Sequence, residues 1–165
     1  MKKTIYIIPG LGENCNLIRY KMLSEALKNK GYEVIPVNPN WYRPLSEQVF
    51  SVRKNSIIFG FSFGAIIAYL IAKKYQCKKV IFASISPIHE FSYNSLVKDY
   101  CKYMSKDLAI EIATDIKKIK ISFKNLKAPF TTLAGQFEKM KADILIPKTR
   151  HRITPTYIKY VCDLL

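Results

Sequence analysis

Gly60-Phe61-Ser62-Phe63-Gly64 sets a serine between two glycines in a G-x-S-x-G pattern. Its flanks give the pattern meaning. Asn55-Ser56-Ile57-Ile58-Phe59 is a short apolar, partly β-branched run that reads as a buried strand, and Ala65 to Tyr75 is almost unbroken apolar sequence with Lys73-Lys74 near its end, which reads as a helix. A serine at the tip of a sharp strand-to-helix turn is a nucleophile elbow. The turn needs an awkward backbone and neighbours without bulk, which the two glycines supply. The helix that follows points backbone N–H groups at the place where an oxyanion would form.

Serine alone is a weak nucleophile and needs a base, a carboxylate to orient that base, and donors for the oxyanion. The chain holds two histidines. His89, in Ser86-Pro87-Ile88-His89-Glu90, follows the fourth strand signal, where a loop residue at the rim of a cleft would lie. His151, in Lys148-Thr149-Arg150-His151, follows the sixth and precedes the last helix, where a loop can drop an imidazole onto the elbow. Position favours His151 as the base.

The elements that must hold these residues alternate. Strand patterns cover Thr4–Ile8, Glu33–Val37, Ser56–Phe59, Lys79–Ala83, Phe130–Ala134 and Asp143–Ile146. Helical patterns cover Leu17–Lys28, Leu45–Val52, the elbow helix, Ser95–Met104, Lys106–Lys118 and a last helix from Tyr157 to Leu165, with Thr154 as N-cap and Pro155 at the first helical position. Strands separated by helices predict an α/β fold: a three-layer sandwich around a mostly parallel sheet of about six strands, in one domain over residues 1–165. Residues 89–128 break the alternation as a helical insertion after the fourth strand. It stands either where a cap or lid would lie or as an elaborated crossover.

In this order of motifs the chain resembles the α/β-hydrolase superfamily, as a small, minimal serine hydrolase of the esterase type lacking the first strands of the full fold. Ile7-Ile8-Pro9-Gly10-Leu11-Gly12 resembles the strand and loop that give one oxyanion N–H, and Gly60–Gly64 resembles the elbow. Thr132-Leu133-Ala134-Gly135-Gln136-Phe137-Glu138 resembles the strand and G-x-x-D segment with the triad acid, Glu138 standing in the aspartate's place. His151 resembles the triad histidine. The resemblance implies a catalytic Ser62, Glu138 and His151, with an oxyanion hole from the N–H groups of Phe63 and of Leu11 or a neighbour. The implied reaction cleaves a carboxylic ester or thioester through an acyl-enzyme; an acyltransferase, a peptidase or a non-catalytic binding module would share the pattern.

One departure from the family lies between Glu138 and His151. Gly135–Ala142 is too short for the usual helix, and a parallel crossover normally takes about a dozen or more residues. Fully extended, that segment reaches roughly 26 Å. It can retrace a strand of roughly 16 Å and step about 5 Å sideways. An antiparallel last strand would carry His151 to the wrong end of the sheet. Asp143 is the rival acid, placed at the far edge.

Composition narrows the rest. At 165 residues, 49% hydrophobic and 13% aromatic, the chain can bury a substantial core, and no apolar run approaches a membrane span. The apolar part of Lys2-Lys3-Thr4–Ile8 runs into Pro9-Gly10 too soon for a signal peptide. Cys15, Cys77, Cys101 and Cys162 are scattered, without metal-site spacing, and read as reduced thiols of a cytoplasmic protein. No metal and no cofactor is expected. The net charge of +15 comes from lysines spread along the chain, with no nucleic-acid-binding signature, so no specific nucleic-acid partner is expected. The expected partner is a small acyl ester or thioester, and Trp41, Phe61 and Phe63 favour an apolar acyl or aryl group.

Overall fold

The computed structural model describes residues 3–165. Six strands form one sheet: β1 (Thr4–Ile8), β2 (Glu33–Pro36), β3 (Ile57–Phe61), β4 (Lys79–Ala83), β5 (Phe130–Gly135) and β6 (Ile144–Ile146). Their order is β2-β1-β3-β4-β5-β6 and every pairing is parallel. Alternation along each strand divides the core between two faces. Ile5, Ile7, Ile57, Phe59, Phe61, Ile81 and Ala83 face one way, toward α1 (Ile18–Asn29) and α5 (Pro155–Asp163). Ile8, Ile58, Val80 and Phe82 face the other, toward α2 (Phe63–Lys74) and α4 (Lys106–Lys118). A three-layer α/β sandwich results.

The chain runs outward from β1 to β2, then returns to β3 and proceeds the other way. Strand order therefore reverses between β1 and β3, and the crevice outside their carboxyl ends is where such sheets place their sites. The loop after β1 and the turn after β3 both open there.

The crossover from β5 to β6 has no α-helix, only a 3-10 turn over Gln136–Glu138, yet the pairing is parallel. The return is affordable because β6 is only Ile144–Ile146. Asp143 falls outside the strand: it is fixed to Thr132, accepting from the backbone N–H at 2.7 Å and the hydroxyl at 2.8 Å.

Two expected helices differ. Over Leu45–Val52 only a 3-10 turn, Leu45–Gln48, forms. Gln48 bonds both backbone groups of Asn40 at 3.1 Å, which draws the segment into a turn. The helix expected over Ser95–Met104 is α3 (Tyr93–Tyr100), started earlier by the Ser92 hydroxyl, which accepts from the Ser95 N–H. It packs against α4 within residues 89–128. Thr154 caps α5, with Pro155 in its first turn. Among the described residues no helix is long and apolar enough to cross a membrane.

Candidate active site

Ser62 stands between β3 and α2 with φ 56° and ψ −119°. A non-glycine residue in that region is strained by roughly 1–3 kcal/mol. Its N–H bonds the Ala83 carbonyl on the neighbouring strand at 2.8 Å, which helps to hold the turn. The flanking glycines are required by close approach. A Cβ on Gly60 would lie 2.7 Å from the Ala65 Cα, and one on Gly64 would lie 2.9 Å from the Ile8 carbonyl carbon and closer still to the Pro9 oxygen. The elbow is thus pressed against the end of β1.

Three side chains from three loops meet at this turn. His151 Nε2 is 2.9 Å from Ser62 Oγ, and His151 Nδ1 is 2.7 Å from Glu138 Oε2. Glu138 ends the 3-10 turn after β5 and His151 follows β6, so the short parallel return delivers both to the edge where Ser62 stands. Phe61, on β3, sets its ring 5.0 Å from the imidazole and orients it. His89 is elsewhere, on an exposed loop beside Glu90 at 3.7 Å. Asp143 is held by Thr132.

The Glu138 side chain is only 4% exposed while that of His151 is 49% exposed. Burial alone would push the Glu138 carboxyl up. Hydrogen bonds from His151, from the Ser84 hydroxyl at 2.6 Å and from the Gly135 N–H at 2.6 Å, with the histidine's charge, outweigh it and hold the group below its ordinary 4.5. A carboxylate can only accept, so Nδ1 carries the imidazole proton and Nε2 presents a lone pair to Ser62.

That proton inventory settles a further contact. Ser86 Oγ lies 3.0 Å from Ser62 Oγ. Ser62 has spent its one proton on Nε2, so Ser86 is the donor. Ser84 and Ser86, two residues apart just past β4, therefore grip opposite ends of the constellation: Ser84 the acid, Ser86 the serine. Sequence reasoning passed over both. Their signal was Ser84-x-Ser86 at the carboxyl end of the strand beside the elbow strand.

Phe63 is the first residue of α2, so its N–H has no carbonyl one turn back to bond. Leu11 lies in the turn closed by the Glu13 N–H on the Gly10 carbonyl at 3.0 Å. A Cβ on Gly10 would touch Ser62 Cβ at 3.3 Å, so this turn lies against the serine. The Gly10 N–H is taken by the Tyr20 hydroxyl at 3.0 Å.

Two cavities border the site. One, of about 570 Å³, is walled by Leu11 and Trp41 from the core and by Tyr100, Tyr103 and Met104 from the helical insertion. The other, of about 670 Å³, opens beside His151. Of the three aromatics read as favouring an apolar acyl or aryl group, Trp41 lines the cavity of about 570 Å³, while Phe61 and Phe63 are buried in the two cores. Among the described residues no cluster of three or more His, Cys, Asp and Glu could hold a metal ion.

By sequence the chain matches no protein-family model and no curated protein. By structure it is similar to NosK from Streptomyces actuosus, with TM-score 0.71 at 10% identity over 99% of this chain and 96% of that one. It is also similar to mouse α/β-hydrolase domain-containing protein 10, with TM-score 0.64 at 13% identity over 98% and 87% of the two chains. Tomato methylketone synthase I aligns with TM-score 0.59 at 12% identity over 99% and 97%. Likeness of this extent at such low identity identifies an architecture, and the chain has the α/β-hydrolase fold.

Proposed function

We propose that this protein is a serine hydrolase that cleaves a carboxylic ester or thioester through an acyl-enzyme on Ser62. The observation that carries the reading is the continuous hydrogen-bonded line from Ser62 Oγ through His151 to Glu138, at 2.9 and 2.7 Å, on a strained turn at the sheet's switch point. Ser62 Oγ attacks the substrate carbonyl as its proton passes to His151 Nε2. Glu138 holds the ring's tautomer and stabilises the imidazolium. The oxyanion is received by the N–H of Phe63 and an N–H at Leu11; one such donor is worth about 3 kcal/mol of barrier. The tetrahedral adduct collapses, its pair leaving on the alcohol or thiol, which takes the proton from Nε2. Water then repeats the sequence on the acyl-enzyme, with Ser62 Oγ as the leaving atom.

Ser86 donates to Oγ throughout, so charge on that atom is met by a hydrogen bond both when it attacks and when it leaves. The cavity walled by Leu11, Trp41 and Tyr100 adjoins the oxyanion turn and suits an apolar acyl group. The test is labelling by a fluorophosphonate probe together with turnover of a short aryl ester. Native protein should label and turn over, and Ser62→Ala should do neither while keeping its fold. Equal turnover by Ser62→Ala would send the activity elsewhere on the protein.

A further inference from the structure

The cations of this basic chain are not distributed evenly about the site. Between residues 139 and 152 lie Lys139, Lys141, Lys148, Arg150 and Arg152, all exposed. The carboxylates of that neighbourhood are committed. Glu138 is enclosed by His151, Ser84 and Gly135, and Asp143 is turned to Thr132. Among the described residues four lysines and arginines have ion pairs, Arg19, Arg43, Arg53 and Lys102, all away from this segment. Among the described residues none of these five has an ion pair.

Lys139 and Arg150 line the cavity of about 670 Å³ that opens beside His151. A second cavity, of about 660 Å³, shares Pro87, Glu138, Lys139 and Met140 with it and adds Lys141, so the two abut as one trough. Two acids line the trough: Glu138, already enclosed by its three donors, and Glu90, at the far end beside His89.

Chemistry assigns this trough to one part of the substrate. His151 Nε2 returns its proton to the departing oxygen or sulfur, so the leaving group extends on the histidine's side of Ser62. The aromatic cavity behind Leu11 lies against the oxyanion turn and takes the acyl part. We propose that the leaving group is anionic and carries phosphate, and that Lys139, Lys141 and Arg150 receive it. The inference rests on the reading of Ser62 as nucleophile. When the acyl carbon–sulfur or carbon–oxygen bond breaks, its electron pair stays with the leaving atom, the His151 proton neutralises it, and the phosphate remains held by the cations until release.

The experiment compares three thioesters of one short acyl group: on coenzyme A, on 4′-phosphopantetheine and on neutral N-acetylcysteamine. At low salt kcat/KM should be about tenfold or more higher for the phosphate-bearing substrates than for the neutral one, and the ratio should fall toward unity in concentrated salt as the charges are screened. Lys139→Gln/Arg150→Gln should bring the ratio close to unity. Lys28→Gln/Lys159→Gln, which removes the same charge from exposed helix positions on the other face, should keep it. An advantage confined to coenzyme A would assign its nucleotide phosphates, and one shared by phosphopantetheine the single phosphate of the arm; both support the proposal. Native enzyme that hydrolyses all three equally would overturn it while leaving the serine-hydrolase reading intact. Equal loss of the ratio in both double variants would also overturn it, since net charge alone would then account for the preference. Native enzyme that turns over none and is not labelled by a fluorophosphonate would end both readings.

Discussion

Glu138→Gln isolates what the carboxylate does, because shape is kept while one acceptor becomes a donor. Three donors converge on the native group: Ser84 and the Gly135 N–H on Oε1, His151 on Oε2. A glutamine can serve them in two ways. With its oxygen at the Oε1 position it keeps Ser84 and Gly135, and its NH₂ faces His151. The ring must then present a lone pair at Nδ1 and carry its proton on Nε2, where it can no longer accept from Ser62. With the amide reversed the tautomer survives, but NH₂ faces the Gly135 N–H inside a buried loop. Ser84 can adapt by turning its proton to Tyr157, 3.1 Å away, whereas Gly135 cannot. An unsatisfied buried donor costs about 1–3 kcal/mol, so the unproductive tautomer outweighs the productive one by roughly 5–150-fold. The productive minority also lacks the charge that stabilises the imidazolium, a charge-assisted bond of about 1.5–3 kcal/mol. Together these predict a loss of roughly 10²–10⁴-fold in kcat, less than the roughly 10⁶-fold expected on removing Ser62 or His151. Aryl-ester turnover gives the rate, and imidazole nitrogen shifts by NMR give the tautomer. A loss below tenfold, or an unchanged Nδ1–H tautomer with slow turnover, would refute the reasoning.

Three other outcomes are expected. Ser86→Ala should lower kcat by about 10–100-fold with little change in KM, and Ser86→Thr, which keeps the hydroxyl, should recover more of the rate than Ser86→Val, which has the same shape without it. Gly64→Ala sets a methyl against the Ile8 and Pro9 carbonyls, so stability should fall by about 3 kcal/mol, read as a melting point lowered by roughly 6 °C or more. Because Glu138 is held below its ordinary 4.5, its contribution to stability is full above that value and lost as pH falls through the folded value. The stability gap between native protein and Glu138→Gln, followed by denaturant titration, should therefore close in acid.

Much of the architecture was legible because strand and helix periods rarely conflict here. Thr4–Ile8, Lys79–Ala83 and Lys106–Lys118 begin and end where their residue patterns predict. Leu45–Val52 misled because side-chain bonds from Gln48 to Asn40, invisible to periodicity, override a weak helical pattern. The serine at the elbow could be read from its flanks, and the histidine from there being two. Pairing Glu138 with His151 depended on β6 returning parallel, which chain length allowed without requiring. Ser84 and Ser86 could not be read, since a hydroxyl beyond a strand end gains meaning only from neighbours supplied by other loops. Phe61 and Phe63 were read as favouring an apolar substrate group, but both are buried in the interior, Phe61 with its ring against the imidazole.

The brevity of β6 has a consequence for how this molecule would fail. Ser62 is rooted in the middle of the sheet, on a strand paired on both sides, whereas His151 hangs from a three-residue edge strand with a single neighbour, and Glu138 lies in the loop that leads into it. Edges of that kind open with far less free energy than centres do. Fraying at this margin would disperse the proton relay while the nucleophile's turn stayed folded. Loss of the proposed activity on warming is thus expected as a local event that runs ahead of melting, and whatever occupies the trough beside His151 would clamp that margin shut.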